Sequence, residues 1–136
     1  MQLVHTLDER QVEQLAAWYR SEWCTETRTL EETRRCVERT SLCFALVDDA
    51  GYLQAFARVI TDFTFKALIC DVIVHPEARG LGLGKEIMRH IQEHPELAPV
   101  KHFELYCKPD MVPYYESFGF STDVGGICLM RRKADG

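Results

Sequence analysis

The residues best suited to chemistry lie between Val72 and Lys85. The run is Val72-Ile73-Val74-His75-Pro76-Glu77-Ala78-Arg79-Gly80-Leu81-Gly82-Leu83-Gly84-Lys85. A buried strand ends, a short loop follows, and then come an arginine and three glycines at alternate positions before a helix. The first backbone N–H groups of a helix have no partner within it, and the helix dipole there favours anions. Glycines let a phosphate approach the main chain closely. The chemistry expected of Arg79, Gly80, Leu81, Gly82, Leu83, Gly84 and Lys85 is therefore pyrophosphate binding, with Arg79, Lys85 and, a turn later, Arg89 adding positive charge.

Three kinds of phosphate loop compete for this segment. A nucleoside-triphosphate loop needs G-x-x-x-x-G-K-[ST]; Gly80 to Gly84 is one residue short, and Glu86 follows Lys85. A dinucleotide loop, G-x-G-x-x-G, needs glycine where Lys85 stands. Glu104 sits where its ribose-binding acid would be, but too little chain follows for the rest of that domain. The run Arg79 to Gly84 resembles the R/Q-x-x-G-x-G/A signature of the GNAT acetyltransferases, preceded by their V-x-P-x-x-R-G. Downstream, Tyr114-Tyr115-Glu116-Ser117-Phe118-Gly119-Phe120 is similar to that family's Y-E-x-x-G-F. Together the two motifs, in this order, are a specific signal.

That resemblance implies an α/β fold: a central mixed sheet flanked by helices, with two parallel strands splaying apart to admit acetyl-CoA as cosubstrate. It implies that the backbone of Val72, Ile73 and Val74 bonds the pantetheine arm. It gives Tyr115 the role of proton donor to the departing sulfur, with Tyr114 its competitor. A family asparagine that contacts the cofactor is replaced here by Lys108, which leaves that contact in doubt although lysine can reach a phosphate. The activity implied is transfer of acetyl to a primary amine, on a small molecule or a peptide, in a ternary complex. A non-catalytic acyl-CoA sensor of the same fold is the alternative.

Asp71 interrupts an apolar strand and is read as sharing a face with Ile69 and Ile73. A carboxylate there is expensive to bury unpaired. Either it takes the amine's proton or binds its cation, or it is neutralised by Arg58 or a backbone donor. Glu104 is a second candidate for the base and for the acceptor side, and a proton relayed by water is a third solution. Trp18, Tyr19 and Trp23 either line an acceptor pocket or pack the core. Arg58, Asp62 and Thr25 are weaker candidates for the same wall.

His90-Ile91-Gln92-Glu93-His94 matches the H-x-x-E-H zinc pattern, but no further acid follows and Pro95 stops the helix. No metal is expected. His75 reads as structural.

The elements that must position these groups follow from periodicity. Residues 8–21 form a helix capped by Asp8, with Val12, Leu15, Ala16 and Tyr19 on one stripe. Thr29-x-x-Glu32 is a capping box opening a second helix. Leu42 to Val47 and Tyr52 to Thr61 form a hairpin about Asp48 to Gly51, with Leu53, Ala55, Ala57 and Val59 on one face. Ala67 to Val74 is a central strand. Gly80 to Glu93 enters a helix with Leu83, Ile87, Met88 and Ile91 buried. Residues 102–107 form a strand, Asp110 to Phe118 a helix capped by Asp110 and ended by Gly119, and Ile127 to Arg131 a last strand. A strand edge after Ile127 could support a homodimer.

The chain has 136 residues, 46% of them hydrophobic and 27% charged, which suits one globular domain spanning residues 1–136. Its net charge of −5 argues against nucleic-acid binding. No apolar run approaches a membrane span and no signal peptide is legible, so a cytoplasmic location is expected. The six cysteines form no C-x-x-C pair and are read as reduced, buried small hydrophobes.

Overall fold

The computed structural model describes residues 1–22 and 25–134. It divides into two compact units, Met1–Tyr106 and the chain from Cys107 onward.

The first unit holds β1 (Gln2–Val4), α1 (Glu9–Ser21), α2 (Leu30–Arg39), β2 (Leu42–Val47), β3 (Leu53–Thr61), β4 (Lys66–Val74), α3 (Leu83–Glu93) and β5 (His102–Leu105). The strands form one sheet in sequence order. Neighbours run antiparallel from β1 to β4, and β5 lies parallel to β4. It is a mixed sheet with helices packed on it.

Local chemistry fixes the first two helices. Asp8 Oδ1 accepts the Gln11 N–H at 2.8 Å while Gln11 Oε1 accepts the Asp8 N–H at 2.9 Å. Thr29 and Glu32 do the same for α2, at 3.0 and 2.9 Å. Each box satisfies two backbone donors that the helix cannot. Leu15, Trp18 and Tyr19 of α1 pack on Cys43, Ala45, Val47, Leu53, Phe56 and Ile73 of the sheet, with Val37 of α2 at the margin. The opposite face lies under α3, which buries Leu83, Ile87, Met88 and Ile91. Covered on both sides, β3 is apolar on both: Leu53, Ala55, Phe56, Ala57 and Val59 are all buried.

Two register slips correct the simple alternation. Leu46 pairs with Ala55 but Val47 pairs with Leu53, so Leu53 turns away from Ala55 and joins the α1 face. Phe56 pairs with Ile73 and Arg58 with Cys70, so β4 spends one extra residue opposite Ala57. This is a β-bulge, and Asp71 within it has φ 56°. Paired residues project to the same face. Ile69, paired with Val59, therefore faces α3, and Ile73, paired with Phe56, faces α1. The expectation that Asp71 shares a face with both is thus corrected: it turns to the α1 side.

β1 has no counterpart in the sequence reading. Pro95 does end α3, and then opens a 3-10 turn, Pro95–Leu97.

The second unit holds a 3-10 turn (Pro109–Met111) and α4 (Val112–Glu116). Asp110 lies inside that turn and does not cap the helix, whose N-cap is Met111. Gly119 ends it at φ 94°, with its N–H bonded to the Glu116 carbonyl at 2.9 Å. Residues 127–131 form no strand, and Ile127, Leu129 and Met130 are exposed. Their alternation imitates a strand, but no ladder partner is recorded among the described residues.

Candidate active site

The opening in the sheet comes from strand pairing. β5 pairs with β4 only from Lys66↔His102 to Ile69↔Leu105. Beyond Ile69 the β5 side of β4 has no strand partner among the described residues, although β3 still pairs with Ile73 and Val74 on the other side. Backbone groups facing β5 along Val72, Ile73 and Val74 are left to bond something else. Ile73 is buried, and Val72 and Val74 are half-buried.

The strand then leads to the glycine loop. His75 closes it on one side: its N–H bonds the Gln54 carbonyl at 2.8 Å, and its Nδ1 accepts the Glu77 N–H at 3.0 Å, capping a 3-10 turn over Pro76–Ala78. Gly80 and Gly82 have φ of 86° and 78°, values that side chains rarely take. A Cβ built on either would meet nothing within 4 Å. Their conformation leaves open space in front of the backbone rather than relieving a clash within the fold. Gly82 is the N-cap of α3 and supplies no side-chain cap. The amides of Leu83, Gly84 and Lys85, in the first turn of α3, are donors that the helix does not use. Leu81 and Lys85 are exposed, and Leu83 points into the core as the anchor of the turn. This is a cradle for an anion, and it is continuous with the open edge of β4.

Arg79 reaches back toward the end of α1, where its Nη2 lies 3.7 Å from Glu22 Oε1. Arg89 pairs with Glu93 at 3.2 Å along α3.

On the α1 face, next to the open edge, lies a cluster of charges. Asp71 Oδ2 accepts from Arg58 Nε at 2.6 Å, Arg28 Nη1 at 2.7 Å and the Tyr19 hydroxyl at 2.9 Å. The Arg28 guanidinium lies over the Tyr19 ring, 4.5 Å from its centroid. Burial works against the Asp71 charge, but the hydrogen bonds and attraction of Arg28 and Arg58 outweigh it and hold the carboxyl below its usual range. Burial likewise opposes the Arg58 charge, and Asp71 again prevails and raises that group. Burial, with the Asp71 charge beside it, drives the Tyr19 phenol far upward, so it remains a donor. A carboxylate in this setting is a poor proton acceptor. Of the two expected arrangements, neutralisation of Asp71 by Arg58 is the one the geometry contains. Arg28 joins the cluster from the loop before α2 and was not foreseen.

Glu104 pairs with Leu68, placing it on the face that carries Cys70 and Arg58. Its carboxylate is tied to Lys66 Nζ at 3.1 Å. Asp62 serves the β3–β4 turn, accepting the backbone N–H groups of Thr64, Phe65 and Lys66. Thr25 is buried, its hydroxyl donating to the Tyr19 carbonyl at 2.8 Å. Trp18 is packed in the core and meets the His75 ring edge-on at 5.8 Å. Trp23 lies outside the described residues.

His90 and His94 each make contacts within the fold. His94 Nδ1 accepts the Glu96 N–H at 3.2 Å, and its ring packs edge-on against His5 and Phe44. His90 lies 3.8 Å from Glu86. Among the described residues no three His, Cys, Asp or Glu side chains gather as metal ligands would. Of the cysteines described, Cys43 is buried, Cys36 and Cys70 are half-buried, and Cys107 and Cys128 are exposed, so the expectation of a uniformly buried set is corrected.

In the second unit, Tyr114 and Tyr115 are consecutive on α4 and half-buried, with rings edge-on at 5.1 Å. Burial, then the neighbouring Tyr114 and Cys107, pushes the Tyr115 phenol up to about 12. Burial also raises Tyr114. Both remain protonated donors at neutral pH. Lys108 is exposed and caps the turn before α4.

Comparisons with known proteins agree with this architecture. The family model "Acetyltransferase (GNAT) family" matches residues 9–120. The uncharacterized N-acetyltransferase ycf52 of Porphyra purpurea is 32% identical over 74% of this chain, and serotonin N-acetyltransferase 2, chloroplastic, of Oryza sativa subsp. japonica is 33% identical over 74%. The matches span 59% and 52% of those relatives' own lengths. A solved structure assigned to the GNAT family, from Xanthomonas campestris pv. campestris, superposes with a TM-score of 0.84 at 29% identity, covering 98% of this chain and 92% of that one. With the open strand edge, the glycine cradle and a family match over most of its length, the chain belongs to the GNAT family of acetyltransferases.

Proposed function

We propose that the chain is an acetyl-CoA-dependent N-acetyltransferase that acts as a single domain and passes an acetyl group directly to a primary amine in a ternary complex. The observation that carries this reading is the continuity of the unpaired β4 edge with the uncapped, glycine-led start of α3. That strip offers strand-like hydrogen bonds to an amide-bearing arm and then helix N–H groups to a pyrophosphate.

Acetyl-CoA fits the residues present and supplies the activated acyl group. Val72, Ile73 and Val74 hold its arm through the main chain. Gly80, Leu81, Gly82, Leu83 and Gly84 offer their amides to the phosphates, and Arg79, Lys85 and Lys108 add positive charge. Tyr115 donates a proton where the sulfur departs. Its raised pKa keeps it protonated, and makes full transfer to a thiolate more uphill than for an ordinary phenol. Donation of a hydrogen bond is the part of that role best matched to it.

Direct transfer is supported by the cysteines of the sheet. Burial pushes the Cys43 thiol up to about 11 and also raises Cys70, so neither is a ready nucleophile for an acyl-enzyme. With Asp71 locked between arginines and Glu104 held by Lys66, the amine loses its proton to water. A cytoplasmic compartment is proposed, since free thiols such as Cys36, Cys43 and Cys70 persist where disulfides are kept reduced. The named substrate of the rice relative places serotonin among the amines to be tried.

The test is calorimetric titration with acetyl-CoA, using NADH and ATP as controls, followed by an amine panel read through free-thiol release. Saturable one-to-one binding of acetyl-CoA, with amine-dependent thiol release, is expected. Absence of both overturns the reading.

A further inference from the structure

We propose that Arg28 and Arg58 recognise an anionic oxygen group, carboxylate or phosphate, carried by the acceptor next to its amine. The inference rests on the acetyltransferase reading above and names the class of acceptor for that same site.

The charge count motivates it. Two guanidinium groups share one carboxylate, leaving a surplus of one positive charge in a chain whose formal net charge is −5. Of the acids near Arg28 in sequence, Glu32 closes the capping box with Thr29 and is only a secondary, longer-range attraction for Arg28, and Glu22 faces Arg79. One arginine would neutralise Asp71. A second adds desolvation cost and like-charge repulsion that the fold itself does not require.

The geometry is that of a half-filled receptor. Asp71 takes one donor from each arginine, all on Oδ2, whereas a guanidinium offers five donors in a planar fork suited to carboxylate or phosphate. The Arg58 side chain is 13% exposed, while Arg28 keeps 32% exposure. The Tyr19 ring lies against the Arg28 guanidinium, 4.5 Å from ring centroid to Cζ, and helps to hold it in place. The bulge at Asp71 aims the cluster to the α1 face, and the next residues along β4 are Val72, Ile73 and Val74 of the open edge. An anionic group bound here lies beside the strip assigned to the acyl donor. A simple cationic amine meets surplus positive charge instead.

The experiment uses matched amines that differ in the anionic group: 5-hydroxytryptophan against serotonin, lysine against cadaverine, and phosphoethanolamine against ethanolamine. Thiol release is measured at saturating acetyl-CoA. The anionic member of a pair is expected to have kcat/KM about tenfold higher or more. Preference in the first two pairs marks carboxylate, and preference in the third marks phosphate. Arg28→Gln should raise KM for that acceptor about tenfold, leave KM for acetyl-CoA unchanged and abolish the discrimination. Arg58→Lys, which keeps the charge but loses the fork, should weaken it partially. Thermal melts confirm that both variants fold.

Preference for the decarboxylated amines, or discrimination that survives Arg28→Gln, overturns the proposal. If no amine is acetylated, calorimetry of the same pairs with CoA-loaded protein decides it. Binding of the anionic members that Arg28→Gln removes supports it, and equal or absent binding overturns it. Failure of acetyl-CoA to bind sinks the acetyltransferase reading by itself.

Discussion

Arg58 Nε donates to Asp71 Oδ2 at 2.6 Å across the β3–β4 pair, at the point where β4 bulges and Asp71 takes a φ of 56°. Strain and charge meet in one residue. Asparagine tolerates the left-handed conformation nearly as well as aspartate, so Asp71→Asn removes the charge with little change in backbone preference.

Its expected cost at neutral pH is about 3 kcal/mol, because Arg58 is left buried without its counter-charge. The pH dependence has a definite sign. The folded pKa of Asp71 lies below its ordinary 3.8, so its contribution is complete above that value and is lost as pH falls through the folded pKa. Wild type should lose stability more steeply than Asp71→Asn below about pH 4, in urea unfolding followed by circular dichroism. Equal slopes would remove the ion pair from the account of stability. Turnover of the variant, measured well below its melting temperature, should stay within about tenfold of wild type; a loss of a thousandfold would restore Asp71 as a base.

Gly82→Val tests the anion cradle. At a φ of 78° a β-branched residue is strained, which costs about 1–2 kcal/mol of stability. Since no atom lies within 4 Å of the added Cβ, the fold itself has room for it. The methyl groups occupy the space in front of the helix amides instead. Acetyl-CoA affinity should fall about tenfold to a hundredfold, the worth of one or two charge-assisted hydrogen bonds. An unchanged dissociation constant by calorimetry would move the pyrophosphate elsewhere.

The parts of this molecule that were legible in its sequence are those set by neighbours along the chain. The Asp8 cap and the Thr29–Glu32 capping box join residues three apart, and the buried arc of α3 follows from helical spacing. The glycine run leads into α3, as its place before an apolar helical arc implied. What escaped depends on strand pairing. The extra residue of β4 is visible only against β3, and without it Asp71 falls on the wrong face. Arg28 reaches Asp71 from 43 positions away, and nothing local marks it. β1 is three residues whose only signal is Leu3 and Val4, and it exists because β2 offers an edge. Asp110 had the type and position of a cap, but Pro109 diverts the chain into a 3-10 turn first.

Glu22→Gln should tighten acetyl-CoA binding slightly. Arg79 now faces Glu22 at 3.7 Å, and both side chains are substantially exposed. An exposed pair of this length is worth less than about 1 kcal/mol, so release of Arg79 toward a phosphate can improve affinity by no more than about fivefold. Arg79→Ala should weaken binding, and Glu22→Gln in that background should do nothing further. An effect of Glu22→Gln that persists without Arg79 would show that the carboxylate acts by some other route.

Tyr115→Phe should lower kcat about a hundredfold while leaving the dissociation constant of acetyl-CoA within twofold, because a proton donor acts on the leaving sulfur and not on binding. Burial pushes the Tyr115 phenol up to about 12, so it is almost wholly protonated up to about pH 10. Its ionisation therefore cannot produce a fall in kcat between pH 7 and pH 10, about two units below that pKa. Any such limb must come from another group and should persist in the variant. Tyr114→Phe is the control, since its phenol is also raised by burial and it stands next in the chain. If Tyr114→Phe loses turnover and Tyr115→Phe does not, the donor is Tyr114. If neither variant slows, the sulfur takes its proton from water, and the tyrosine pair serves only to pack α4 against Phe118 and Phe120 through the ring contacts of 5.2 and 6.4 Å that it makes in this unit.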